Sequence, residues 1–455
     1  MATKPKIKTL TNSSVDILNA IRNNASTNYR DYVPQATADS DSIREIGAVI
    51  MDYPALQNEF LSALVNRIGR VILTSKSYDN PWAMFKKGML EFGESIEEVF
   101  VNIAKPFQFD PQIAESNVFK REIPDVRSAF HIMNYQKFYK ATISNDQLRQ
   151  AFLSIDGITD LIAKIVDAMY TGANYDEFQT MKYMLARHIL KGLMNPVTIP
   201  AINVANMNSI VSTIKGVSNK FTFLNSKNNL AGVMNHTPKM DQYLLVNSEF
   251  DATMNVEVLA TAFNMDRAEF DGHHVLVDSF GDLDIERLNI LFADDPTYKE
   301  IGTAELEELN AIPCVMVDKD WFMIFDNYQN FTEQYNGEGL YWNYWYHVWK
   351  TFSISPFSNN AVFVAGTPAV KLVTVTPSDA TVSAGGQLQL NVTVDTDNYA
   401  PQSVIWSIAT EDAKATISST GMLEINSDAK PGPITVKATS TFDSKKVGTA
   451  TITVA

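Results

Sequence analysis

The chain has 455 residues, 45% hydrophobic and 20% charged, with 37 Lys and Arg against 52 Asp and Glu for a net charge of −15. That composition fits a folded protein of two or three domains and excludes a disordered chain, while its acidity argues against binding nucleic-acid phosphates. Cys314 is the single cysteine, which excludes an internal disulfide framework, and no run of about 18 apolar residues exists to span a membrane.

From the N-terminal side, MATKPKIKTLTNSSVDIL lacks the basic-then-apolar order of a secretory signal, so production in a reducing cytoplasm is expected. Pro54–Gly69 places Leu56, Phe60, Leu61, Leu64, Val65 and Ile68 on one helical stripe that Gly69 can end. Val71–Phe109 is irregular and strand-like, punctuated by Pro81, Gly88 and Gly93, and reads as a protruding hairpin or extended loop. Asn145–Tyr170 is the strongest helical pattern, with Ile158, Leu161, Ile162, Ile165, Val166 and Met169 on one face, a cap at Ser144 or Asn145, and a weak point at Gly157. Gly172 offers a stop, after which Tyr175–Leu190 reads as a second helix ending at Gly192.

Asn195–Pro313 alternates short strands and helices: Gln242–Val246 as a strand, Val256–Phe263 as a helix, His274–Asp278 as a strand. Cys314–Val317 and Trp321–Asp326 follow as apolar strands, and the whole is an α+β body. Tyr341–Phe352 then gathers seven aromatics in twelve residues, including three of the six tryptophans. As a strand it puts Tyr341, Asn343, Trp345, His347 and Trp349 on one face, and Trp342, Tyr344, Tyr346, Val348 and Phe352 on the other. The plainer reading is a central strand buried by helices on both sides. The sharper one packs one face within the subunit and the other on a neighbouring subunit, a role suited to Tyr and Trp.

From about residue 367 Arg, Cys and His disappear, and Thr, Val, Ser and Ala dominate. Leu388–Val394 alternates strictly, with Leu388, Leu390, Val392 and Val394 on one side, and short strands follow at Ser403–Ile408, Ile434–Thr439 and Thr449–Val454. This spacing predicts an antiparallel β-sandwich with Leu388, Leu390, Val392 and Trp406 in its core.

Catalytic chemistry finds little support. His273-His274 with Asp278 and His236 is the one metal candidate, but adjacent strand histidines point to opposite faces, so a surface turn is the preferred reading. Asp318, Asp320 and Asp326 imitate the opening of a calcium loop, yet Met323 sits where the turn glycine belongs and Gln329 replaces the bidentate Glu. There is no nucleophile elbow, phosphate loop, dinucleotide fingerprint or His-Glu-x-x-His, and Cys314 lies in an apolar run as an inert thiol. The sequence therefore predicts no enzyme, no cofactor and no metal.

VDKDWFMIFDN (Val317–Asn327) followed by GLYWNYWYHVWKTFSIS (Gly339–Ser355) resembles the major capsid proteins of phi29-like small short-tailed phages. YVPQAT at Tyr32, NPWAMFKKG at Asn80, FKREIPDV at Phe119, VLATAFNM at Val258 and AVFVAG at Ala361 agree in the same order. VTPSDATVSAGGQLQL (Val375–Leu390), SVIWSI, ATISSTGML and PITVKATS resemble a bacterial immunoglobulin-like domain of group two.

The resemblance implies a Hong Kong 97-type fold with N-terminal arm, extended loop, peripheral domain with a spine helix, and axial domain, followed by an all-β immunoglobulin-like sandwich. The implied boundaries are a shell domain over 1–366 and the sandwich over 367–455. Within the shell domain, 1–70 is arm and helix, 71–140 extended loop and peripheral strands, 141–194 spine and second helix, 195–317 axial domain, and 318–366 the return to the peripheral domain. Trp82, Trp321, Trp342, Tyr344, Trp345, Tyr346 and Trp349 become candidate packing or subunit-interface residues. The implied partners are further copies in pentamers and hexamers, a scaffolding protein, a portal or connector, packaged double-stranded DNA in weak non-specific contact, and a host surface met through the sandwich. A virion component assembled in the host cytoplasm is expected, with no membrane. The rival readings are a tail or sheath protein of a phage, and a cell-surface adhesin with an immunoglobulin-like module.

Overall fold

The computed structural model describes residues 14–60, 63, 78–90, 95–107, 109, 120–144, 157–257, 274–410 and 413–455. Several expectations fall at least partly outside these: the helix over 145–156, the end of the Pro54–Gly69 helix, most of Val256–Phe263, and His273. The chain divides into two compact units, one of Met1–Ser95, Ile132–Phe178 and Ile324–Phe352, the other of Ile96–His131, Gln179–Met323 and Ser353–Ala455.

The first unit begins with helices at Ser14–Asn24, Thr27–Tyr32 and Ser40–Asp52 and a further helical stretch over 54–60, where the sequence pattern had suggested a single helix. Each is short, and tertiary burial of an amphipathic face stabilises it: Ile43, Ile46 and Ile50 recur at helical spacing and are fully buried. Its sheet has β1 (Lys86–Met89), β4 (Tyr135–Ser144), β9 (Phe322–Asn336) and β10 (Tyr341–Ile354) in the order β1-β9-β10-β4. β1 runs parallel to β9, and β10 pairs antiparallel with β4.

The expected pair of helices is one helix of 34 residues, Gly157–Leu190. Gly172 does not end it, whereas Gly192 at φ 61° does. There the Gly192 N–H bonds the Ile189 carbonyl and the Leu193 N–H the His188 carbonyl, both at 2.9 Å, the two bonds of a Schellman cap.

In the second unit, β2 (Ile96–Val101) and β3 (Val126–His131) form a two-stranded antiparallel ribbon. A five-stranded sheet runs β5-β11-β8-β6-β7, from β5 (Pro196–Ile199), β6 (Gln242–Asn247), β7 (His274–Val277), β8 (Cys314–Asp318) and β11 (Asn360–Ala365). Helix Met207–Phe221 packs Ile210, Ile214 and Phe221 against this sheet's Leu244, Val246, Met316 and Phe363. The range 318–366 is thereby split, because β11 bonds β5 and β8. Helix Ser248–Glu257 starts eight residues before the expected Val256.

The C-terminal strands are β12 (Ala369–Thr376), β13 (Asp379–Val382), β14 (Gln387–Gln389), β15 (Asn391–Asp397), β16 (Val404–Ile408), β17 (Ala415–Ile417), β18 (Met422–Ile425), β19 (Gly432–Ser440) and β20 (Val447–Val454). They form sheets ordered β13-β20-β19-β16, β14-β18-β17 and β12-β15. The alternating run Leu388–Val394 is therefore two strands, since the chain leaves β18 for β12 at Leu390. Leu390 is buried in the core, while Leu388, Val392 and Trp406 are partly buried against it. Gly421, at φ 84°, lets the Trp406 ring lie close, because an added Cβ would meet Cζ2 at 3.0 Å. Among the described residues no helix is long and apolar enough to cross a membrane.

Candidate functional site

The aromatic strand β10 is the centre of the first unit. Its even positions point inward, and Trp342, Tyr344, Tyr346 and Val348 join one core with Ile17, Ile21, Ile43, Ile46 and Ile50 of the N-terminal helices and Met169 and Ala173 of the long helix. Phe331 of β9 stacks on Tyr346 with ring centres 4.5 Å apart, and Tyr335 lies 5.1 Å from Trp342. The Trp342 Nε1 and Tyr344 hydroxyl are buried with no hydrogen-bond partner among the described residues. Burial pushes the Tyr344 hydroxyl above its ordinary value, aided by the Glu333 carboxylate.

The odd positions behave differently, and they overturn the reading of a strand buried by helices on both sides. Trp345, His347 and Trp349 are only half-buried, and Phe138, paired with His347, is 59% exposed. The rings here meet one another and polar neighbours: Tyr328 lies 4.9 Å from Trp349, and the Lys140 Nζ stands 5.7 Å over Trp345. The sheet has a helix-covered face and an open aromatic one because a four-stranded sheet needs only one face buried for stability.

Trp82 and Trp321 are interior. Trp82 is fully buried, edge-on to Phe178 at 5.4 Å, and Trp321 packs on Phe322 at 4.7 Å and His188 at 5.7 Å. Burial holds the His188 imidazole below its ordinary value, and its Nδ1 is 2.9 Å from the Met184 carbonyl.

Sequence reasoning missed a buried charge cluster in the first unit. Lys350 Nζ reaches Asp326 Oδ1 at 2.6 Å and also bonds Glu177, while Lys86 Nζ lies 2.7 Å from Asp326 Oδ2 and 3.2 Å from Glu177 Oε2. Asn80 donates to Glu177 Oε1 at 2.7 Å. Burial alone would push the Asp326 carboxyl up, but Lys350 and Lys86 together hold it below its ordinary value. Burial likewise opposes the Lys350 charge, and Glu177 with Asp326 outweighs it and raises the ammonium. Two cations and two carboxylates thus tie β1, β9, β10 and the long helix together. The available signal was parity, since Lys350 falls on the same face as Trp342 and Val348.

The other chemical candidates resolve into local structure. Asp318 accepts the Thr237 hydroxyl at 2.5 Å and the Asp320 N–H at 2.8 Å, shaping the turn between β8 and β9. His274 Nε2 stands 3.2 Å from Asp251 Oδ1, and His236 is exposed. No group of three or more His, Cys, Asp or Glu among the described residues is placed to hold a metal. Cys314 is fully buried, which pushes its thiol up.

A surface of a different kind lies on the ribbon in the second unit. Its inner face is anchored by Phe100 stacked on Phe357 at 5.6 Å and by His131, whose Nδ1 is 2.7 Å from Ser353 Oγ and whose Nε2 is 3.1 Å from Glu98. Its outer face carries Val99, Val101, Val126 and Phe130, each more than half exposed.

These features meet in comparisons with known proteins. Residues 18–364 match the family described as Phi29-like phage major capsid protein, and residues 369–454 match the bacterial Ig-like domain of group 2. The major capsid protein of Bacillus phage B103 is 37% identical over 452 residues, covering 97% of this chain and 94% of that protein. That of Bacillus phage PZA is 35% identical over 431 residues, covering 94% and 90%. Among solved structures, a chain from native bacteriophage P68, described with its head fibre and inner core protein, covers 65% of this chain and 86% of its own length at 15% identity and a TM-score of 0.50. The likeness in fold is to Hong Kong 97-type phage capsid proteins. A helix-backed aromatic sheet, a long helix, an apolar ribbon and a terminal sandwich are thus parts of a virion building block, and the chain belongs to the phi29-like phage major capsid protein family, with a group two immunoglobulin-like domain after its capsid region.

Proposed function

We propose that copies of this chain tile through pentamers and hexamers into a closed icosahedral or elongated shell around double-stranded DNA, with 1–366 as shell domain and 367–455 as a displayed sandwich. The observation that supports this most is the outer face of the β2–β3 ribbon. A two-stranded ribbon is marginal by itself, and one with Val99, Val101, Val126 and Phe130 exposed gains stability when a neighbour covers it. Trp345 and Trp349 on the open sheet face join it as interface residues, and Trp82, Trp321, Trp342, Tyr344 and Tyr346 act as packing residues within the subunit. Closed shells follow when such heterologous contacts rotate into rings.

The shell domain holds 31 basic and 44 acidic residues, so its charge of −13 favours weak contact with the enclosed DNA. Assembly in the host cytoplasm would use a scaffolding protein and a portal, and the sandwich would meet the host surface. The role is one of association, with no turnover.

The test is a Phe130→Glu, Val126→Lys subunit expressed with scaffold. The expected result is a folded protein by circular dichroism with shells absent in electron micrographs. Normal shells from that variant would show that the ribbon face is not an interface.

A further inference from the structure

Within the second unit, a cleft of about 880 Å³ opens between the shell loop around residues 226–232 and one edge of the terminal sandwich. Its size is that of a pocket for a small ligand or a few linked sugar units. Although the chain carries 52 carboxylate side chains, no Asp or Glu among the described residues lines this cleft. Its charged lining residues are Arg127 and Lys227. Arg127 is forked onto Asp125 at 3.2–3.3 Å and donates to the Ala231 carbonyl, so it is a fixed wall. Lys227 is exposed and makes no ion pair among the described residues.

The two sides of the cleft differ in chemistry. The shell loop offers Lys227 and the neighbouring Asn228 amide. The sandwich offers apolar surface, with Ile405 63% and Phe442 44% exposed, together with a Ser403–Thr441 hydroxyl pair 2.6 Å apart. A cleft whose lining holds an aromatic ring, an amide and an ammonium suits a pyranose, whose C–H face would lie on the ring while its hydroxyls and acidic group meet the donors. A protein partner would need about 800 Å² from each side, and the lining of this cleft is far smaller.

We infer that this cleft binds an anionic saccharide, with Lys227 reading the charge, Asn228 the hydroxyls and Phe442 the sugar face. The inference rests on the proposed host-surface role of the sandwich and gives that role a site. The acidic group can be a carboxylate or a phosphate, and the shared chemistry is an anion on a sugar or polyol chain.

The experiment uses assembled particles or the full-length subunit in calorimetric titration with four probes: oligogalacturonate, poly(glycerol phosphate), neutral dextran and poly-glutamate. Binding of either saccharide-type anion, weakened tenfold or more by Lys227→Glu and by Phe442→Ala but unchanged by Ile290→Ala, is the expected result, and the two anionic probes separate carboxylate from phosphate. Equal binding of dextran, preferred binding of poly-glutamate, or no binding of any probe would overturn the site. Adsorption of particles to host cells tests the parent reading separately. If deleting 367–455 abolishes adsorption while Lys227→Glu and Phe442→Ala leave it intact, the host-surface role stands and the cleft does not.

Discussion

The inward and outward faces of β10 are built from the same residue types and do opposite things. Trp342, Tyr344 and Tyr346 are at least nine-tenths buried beneath helices, whereas Trp345, adjacent to two of them in sequence, and Trp349, three residues beyond Tyr346, stay half-open. The inward face also holds Lys350, a full charge made tolerable by Glu177 and Asp326, while the outward face carries Lys140 over a ring. Ring content therefore says that a strand needs cover. The cover itself depends on which elements arrive from elsewhere in the chain.

The largest effects are expected on the inward face. Trp342→Ala should cost the subunit about 3–5 kcal/mol in denaturant unfolding, as large aromatic truncations in cores do. Lys350→Met should cost about the same, because it leaves Glu177 and Asp326 buried with Lys86 as their remaining cation. A Lys350→Met subunit as stable as wild type would show the cluster to be dispensable.

An intermediate effect separates the faces directly. Trp345→Ala should lower subunit stability by about 1 kcal/mol or less, since it is half-exposed, while abolishing shells in electron micrographs. Equal losses for Trp345→Ala and Trp342→Ala would erase the distinction drawn between them.

The smallest expected changes concern protonation and one hydroxyl. Tyr344→Phe removes a buried hydroxyl without a partner among the described residues, so the melting temperature should hold or rise, and a clear fall would reveal an unseen partner. The depressed Asp326 pKa means that its stabilisation is fully present above pH about 4 and is lost as pH falls through the lower folded value. Unfolding curves at pH 5 and pH 3 should thus converge more for Lys350→Met than for wild type. His188, held neutral by burial, adds stability above its unfolded value of about 6.5 that declines as pH falls below it, and His188→Gln should remove that slope.

How much was legible in the sequence follows from the range of the interactions. The sandwich strands and the strand character of Tyr341–Phe352 came through because period-two alternation is local. The long helix was read as two because Gly172 looks like a stop, yet a glycine ends a helix when the chain turns left-handed there, and that turn occurs at Gly192. Around residues 176–182 this helix is buried although polar, with Asp176, Glu177, Gln179 and Lys182 all inside, so no amphipathic stripe marks it. Asp176 accepts the Tyr139 hydroxyl at 2.7 Å, and Lys182 reaches Asp278 at 2.6 Å. Such partners lie tens of residues apart, beyond any window of local pattern.

By itself the sequence determined the capsid family, the terminal sandwich, the net acidity, and the placement of rings on both faces of one strand, because composition and short-range periodicity carry those. The tertiary structure alone decided which of those faces is closed, which charges are paired in the interior, and where the chain leaves a cleft that no described carboxylate lines. These depend on segments distant in sequence meeting in space, and the free energy of burial is set by what they meet.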